Sequence, residues 1–389
     1  MQQTHYDRLM KAYSNIPPSV YKTIERLGPV EGVSQVIQEA LSSASRDEAG
    51  EVVGMTLSVA VIAGAKRVFS RNPDPFQVQP LIDDSEFDAL CQIIHEMGLP
   101  YKDLTTVVSQ SKHVAWFELG GKRIYEVSPG LADQLRHTEL RGLKTDDLQL
   151  PFPSIFISVP PQAALHALDP NTGKHQVDGV YIVEDKGHNL GRVWHVLVTG
   201  LSKDPSNPLD DATHFFRVEL PADATLEEAL ERTRATMEKE WVQFADGTDG
   251  RLWAEAVKWV DIFRWAMNVV VYATWGDAVR DEMWMSKEAK LLHERAQKAP
   301  KGSEKRKRLH EELRDANTQK YTYLGRGVVY EPEEGGVDGR KLNVRVRVQG
   351  HWRNQAHGEG RALRKTIWIQ PFWRGPEGGE IGPEVHRLT

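Results

Sequence analysis

Along the first hundred residues the apolar positions recur three or four apart, the spacing that gives a helix one buried face. "SVYKTIERL", "GVSQVIQEALSSA", "EVVGMTLSVAVIAGAKRVFS" and "DSEFDALCQIIHEMG" all carry it, and "NIPPS" and "RNPDPF" interrupt the run. In "HVAWFELGGKRIYEVS", β-branched and aromatic residues flank Gly120 and Gly121, which predicts a β-hairpin turning at the two glycines. From residue 150 the pattern shortens. "FPSIFISVP", "AALHAL", "HQVDGVYIVED", "RVWHVLVTGL" and "THFFRVELP" read as strands joined by turn residues, hence an antiparallel meander.

Helical spacing returns in "TLEEALERTRATMEKEW", where Thr225 and Glu228 form a capping box. An aromatic helix follows from Trp253 to Trp275, then two charged helical segments broken at "APKGS", predicting a protruding helical hairpin. From about residue 321, "TYLGRGVVYEP", "KLNVRVRVQGHW" and "RKTIWIQPFWRG" alternate like strands. This order of elements predicts an α+β fold rather than a doubly wound parallel sheet. Its regions are a helical N-terminal region (1–105), a central α+β domain with the meander and a Trp-rich core helix (106–320), and a small basic C-terminal β module (321–389). No period of repeat-protein length recurs.

Composition narrows the class of partner. The net charge of −6 excludes a global attraction to nucleic acid or anionic membrane, so such a contact needs a local patch. The single cysteine, Cys91, excludes an intrachain disulfide, fits a reducing cytoplasm, and reads as a core thiol. No signal peptide is read at the N-terminus. The most apolar stretch, "WVDIFRWAMNVVVYATW", carries Asp261 and Arg264 and is shorter than the roughly 20 residues a membrane helix needs. Its Trp253, Trp259 and Trp265 read as core rather than as a ligand box.

Candidate chemistry is sparse. There is no Walker loop, no H-E-x-x-H, no G-x-S-x-G and no cysteine pair. Asp210 and Asp211 read as a solvated loop, and Glu311 and Glu312 as ion-pair partners of Arg308 in "SEKRKRLHEELR". No cofactor is implied. The tail stands apart: residues 341–389 hold nine Lys and Arg against four Glu, a local net charge of +5. Alternation sets Arg345 and Arg347 opposite Val344, Val346 and Val348, while Gly358 and Gly360 let the backbone turn. Arg353, Arg361, Arg364 and Lys365 supply charge beside the rings of Trp352 and Trp368. Exposed cations next to flat rings suit a polyanion or an acidic peptide. His351 and His357 complete the candidate set. As metal ligands they are an incomplete pair. As acid and base of an RNA-cleaving enzyme they are the alternative reading; a phage structural or assembly protein is the other.

The stretches "VQGHWRNQAHGEGRALRK" and "IWIQPFWRG", with "LPFPSIFISVP" and "VDGVYIVED" ahead of them, resemble the second family of type V-A anti-CRISPR proteins, carried by phages and plasmids. The likeness covers residues 150–275 and 340–375; the first hundred residues show no match, and the insertion before the tail is longer here. The resemblance implies a cytoplasmic protein that binds a host protein or nascent peptide, the N-terminal segment of the type V-A CRISPR nuclease, and lowers its biosynthesis as the encoding mRNA is lost. RNA or a ribosome would then lie near the basic tail. The carry-over to Gly350, His351, Trp352, Gly358 and Gly360 is positional.

Overall fold

The computed structural model describes residues 4–13, 16–43, 56, 92, 101–169, 173–188, 191–201, 212–244, 250–284, 287–315, 320–328, 344–375 and 380–381. Cys91, Asp210 and Asp211 lie outside them, as do nearly all residues of the two helical readings at 51–70 and 84–98. The α+β class holds, with helices α1 (His5–Tyr13), α2 (Pro18–Leu27) and α3 (Pro29–Ser43) preceding the sheet.

The central sheet runs in the order β7-β6-β5-β3-β1-β9-β8, with β4 added to β5. Its meander is the predicted one: β3 (Ser154–Ser158), β5 (Gly173–His188), β6 (Gly191–Gly200) and β7 (Ala212–Leu220) pair antiparallel in succession. β4 is His166–Asp169. Beside β3 the sheet turns parallel, through β1 (Ile124–Val127) to β9 (Lys320–Leu324), and β8 (Arg280–Trp284) closes the edge antiparallel to β9. The boundary read at residue 321 therefore falls inside a strand of the central sheet. Gly179 on β5 is fixed by close approach: a Cβ there would stand 2.2 Å from Cζ of Phe156.

The hairpin read at Gly120 and Gly121 is instead the end of a helix, α4 (Tyr101–Leu119), followed by β1. Five successive residues, His113 to Phe117, are buried, so neither strand alternation nor a one-faced helical pattern shows there. The glycines terminate the helix. Gly120 N–H donates to Trp116 O, and Gly121, at φ +91°, donates to Glu118 O.

α1 packs beside α4 on the sheet and is tied to β5 by polar contacts. The Arg8 guanidinium donates to Asp178 at 2.7 Å, and the His5 ring lies 3.1 Å from the Tyr181 hydroxyl and 2.9 Å from the Gln110 amide. Burial holds the His5 imidazole well below its usual pKa, so it sits there neutral. Helix α1 is thus part of the central core: His5, Tyr6 and Leu9 are fully buried.

Three further helices matter for the tail: α5 (Pro129–Arg136), α6 (Leu226–Phe244) and α7 (Gly250–Thr274). The capping box on α6 forms as read, Glu228 N–H donating to Thr225 Oγ1 and Thr225 N–H to the Glu228 carboxylate. On α7, Trp259, Phe263, Trp265, Met267 and Val270 are core; the side chain of Trp253 lies outside the described residues. The charged segments form a helical hairpin, α8 (Lys287–Lys298) and α9 (Glu304–Asp315), with its own small core of Ala296, Ala299 and Leu309. Arg308 pairs with Glu312 at 3.0 Å, as its spacing predicts.

Candidate binding surface

The basic tail is built from β10 (Val344–Val348), β11 (Gly350–His357), β12 (Leu363–Ile369), β13 (Phe372–Arg374) and β14 (Glu380–Ile381). β10 pairs with β13 and β14, while β11 and β12 form an antiparallel ribbon whose base adds in parallel to β2 (Thr138–Glu139). Gly350 seats that base. A Cβ there would meet Ile369 O at 2.7 Å, and its N–H donates to His137 O. The turn needs its glycines for backbone reasons: Gly358 has φ 77°, ψ −179°, and Gly360 has φ 62°, followed by Arg361 at φ 57°.

Register decides which side chains share a face. Trp352 stands opposite Trp368, Asn354 opposite Thr366 and Ala356 opposite Arg364, while Arg353 faces Ile367 and Gln355 faces Lys365. Trp352 and Trp368 turn inward, 2% and 8% exposed, stacked with centroids 5.8 Å apart. Trp275 meets Trp352 edge to face. The indole N–H of Trp352 donates to Asn268 Oδ1 at 2.7 Å, that of Trp368 to Thr138 Oγ1, and that of Trp275 to Thr366 O. The expectation of a flat ring offered to a partner therefore does not hold for Trp352 or Trp368. They anchor the ribbon to α7, because an indole on the ribbon's inner face buries more apolar area than it could at the rim.

Arg347 also faces the body. Alternation sets it on the face opposite the valines, and that face is not solvent: its side chain is largely buried. It donates to Asp133 at 2.7 Å and approaches His137 Nε2 at 3.2 Å, stapling β10 to α5. The side chain of Arg345 lies outside the described residues. Beyond residue 353 the ribbon projects from the body, and Arg353, His357, Gly358, Gly360, Arg361, Arg364 and Lys365 are all exposed. Lys365 pairs with Asp277 at 2.8 Å. Among the described residues no carboxylate lies within ion-pair distance of Arg353, Arg361 or Arg364. These three cations divide between the two faces and the tip, so the ribbon is charged around its girth rather than on one flat side.

His351 and His357 do not meet. Both lie on β11 six residues apart, which at about 3.3 Å per residue is on the order of 20 Å. An acid and a base acting on one phosphodiester need hydrogen-bond reach to it, so this pair cannot form that site. Among the described residues no three His, Cys, Asp or Glu side chains gather for a metal ion, and no helix is long and apolar enough to cross a membrane.

One feature escaped the sequence pattern. Asn268, fully buried on α7, ties Trp352 to the carbonyls of Thr138 and Leu135. Its position between Met267 and Val269 is a signal, since an amide inside an apolar run must find partners. The α8–α9 hairpin is charged as its sequence reads: residues 287–315 hold ten Lys and Arg against six Asp and Glu.

The family model for AcrVA2-like proteins, the anti-CRISPR type V subtype A2 family, matches residues 125–375. The chain belongs to this family. It is an anti-CRISPR protein, inhibiting a host defence, and its partner is a component of that defence. The matched segment contains the tail ribbon, α7 and the central meander, the elements that hold the cationic tip. A crystal structure of AcrVA2 aligns with this anti-CRISPR protein at TM-score 0.43 and 11% identity, covering 81% of this chain and 92% of that one. No curated protein matches the chain.

Proposed function

We propose that this anti-CRISPR protein recognises the nascent N-terminal segment of a type V-A CRISPR nuclease and lowers its synthesis, with the β11–β12 ribbon touching RNA at the translating ribosome. Family membership supports the defence target. The observation that carries the RNA contact is the projecting ribbon with Arg353, Arg361 and Arg364 exposed and without carboxylate partners among the described residues. Exposed cations on both faces of a two-stranded ribbon can reach phosphates from both sides, and each phosphate neutralised releases counterions.

Affinity capture from translating host cells, with ribosomes and RNA retained, tests this. The wild-type chain should enrich the nuclease transcript together with its nascent chain. The variant Arg353→Ala/Arg361→Ala/Arg364→Ala should keep its fold, because none of the three sits in the core, while transcript recovery falls about tenfold or more and becomes less dependent on salt. Equal recovery by the variant removes RNA from the reading. Absence of both transcript and nascent chain from the wild-type capture removes the reading itself.

A further inference from the structure

The tip of the α8–α9 hairpin concentrates charge of one sign. Residues 295–308 hold seven Lys and Arg against a single Glu, within a chain whose net charge is −6. Arg295 and Lys298 stand on the last turn of α8, Lys301 in the connection, and Lys305 to Arg308 at the start of α9. Lys307 pairs with Glu304, and Arg308 with Glu312. Among the described residues no carboxylate lies within ion-pair distance of Arg295, Lys298, Lys301, Lys305 or Arg306, and all of these but Arg306 are exposed. Like charges one helical turn apart repel and weaken a helix. The tip is nonetheless well built. Ser303 caps α9, its Oγ accepting from Arg306 N–H at 3.2 Å, Gly302 turns the chain at φ +82°, and Ala296, Ala299 and Leu309 give the hairpin its own core. Trp284, at the end of β8, packs on His293 with ring centres 4.6 Å apart and fixes the hairpin to the sheet.

Such a surface lacks what a protein partner needs. Protein interfaces are anchored by large apolar or aromatic side chains; here no aromatic residue lies between 294 and 309, and Ala296 and Ala299 are turned into the hairpin's core. The same lack of rings argues against single-stranded RNA, whose bases stack on aromatic faces. An RNA helix is met through its phosphates and its shape, which cations alone can supply. We propose that the α8–α9 tip binds the phosphate backbone of an RNA helix without reading its sequence. The inference rests on the proposed function for RNA as the polyanion, and it places a second contact on an element separate from the β11–β12 ribbon.

Fluorescence anisotropy with the purified full chain tests this. The probes are two RNA duplexes of unrelated sequence and about 20 base pairs, longer than the roughly 16 that a module for double-stranded RNA spans. An oligouridine strand and a DNA duplex of the same length accompany them. Both RNA duplexes should bind equally, and more tightly than the strand. Arg295→Gln/Lys298→Gln/Lys301→Gln/Lys305→Gln should weaken duplex binding about tenfold or more at about 0.1 M salt, and make log affinity against log salt shallower by about 2–3. Glu304→Gln, which removes the tip's one carboxylate, should tighten binding about twofold, a gain that misfolding cannot produce. Unchanged affinity in the fourfold variant overturns the proposal. So does oligouridine bound as tightly as the duplex, or DNA bound more tightly than RNA. Displacement of the duplex by poly-glutamate of equal charge overturns it too, assigning the tip to an acidic protein. The ribbon variant Arg353→Ala/Arg361→Ala/Arg364→Ala, run alongside, separates the two contacts. Loss confined to the ribbon variant overturns the hairpin and leaves the ribbon standing; loss confined to the hairpin variant does the reverse.

Discussion

Replacing Trp352 with alanine is expected to lower stability by about 4 kcal/mol and to open the ribbon to protease. The ring is 2% exposed, stacks on Trp368 and receives Trp275 edge-on. Removing a buried Trp side chain costs about 3–5 kcal/mol through lost transfer energy and the cavity left behind. The loss also strips Asn268 Oδ1 of its donor at 2.7 Å, within a network that reaches Thr138 O and Leu135 O. Trp352→Phe separates the two terms. It keeps most of the apolar area but loses the N–H, and should cost only about 1–2 kcal/mol. Urea denaturation midpoints and limited proteolysis within residues 353–365 are the measurements. An unchanged midpoint together with an uncut ribbon in Trp352→Ala would show that the indole is not the anchor.

Arg8→Ala carries the second large effect, about 3–5 kcal/mol, because it leaves a carboxylate buried without its counter-charge. Asp178 is 8% exposed and would keep hydrogen bonds from the Thr199 hydroxyl at 2.7 Å and from its own backbone N–H, neither of which supplies a charge. Burial already raises the Asp178 pKa against the pull of Arg8, so removing Arg8 raises it further. A carboxyl whose folded pKa exceeds its unfolded value binds more protons in the folded state. Its stabilising contribution is therefore complete below the unfolded pKa and is lost as pH rises through the folded one. The deficit of Arg8→Ala relative to wild type should thus shrink from about pH 7.5 to about pH 5. Neutral His5, present in both proteins, largely cancels in that difference. Arg8→Ala/Asp178→Asn should recover much of the loss and show no such pH trend. A deficit that grows on acidification, or no deficit at all, would mean that α1 is not held to the sheet by this pair. The test also bears on organisation, since α1 lies outside the family-matched segment yet is bonded into its core.

Local signals were legible wherever a few neighbouring residues decide the outcome. The capping box of Thr225 and Glu228, the pairing of Arg308 with Glu312, and the meander all formed as their spacing predicts. The misread hairpin at Gly120 and Gly121 failed because α4 is covered on more than one side, which erases the periodicity that separates helix from strand. The candidate site divided along the same line. Charge and turn glycines could be read directly, whereas the direction of each ring could not.

By itself, the amino-acid order determined the α+β class, the core helix α7, the charge reversal in the tail and, through its tail motif, the kinship. Only the tertiary structure decided that Trp352 and Trp368 face inward, that Arg347 is spent on Asp133, and that Lys320–Leu324 joins the central sheet. The physical reason is that a period of two states which residues share a face and says nothing of which face meets the core. That choice rests on partners far away in the chain: Asn268 is 84 residues from Trp352, and Thr138 is 230 from Trp368.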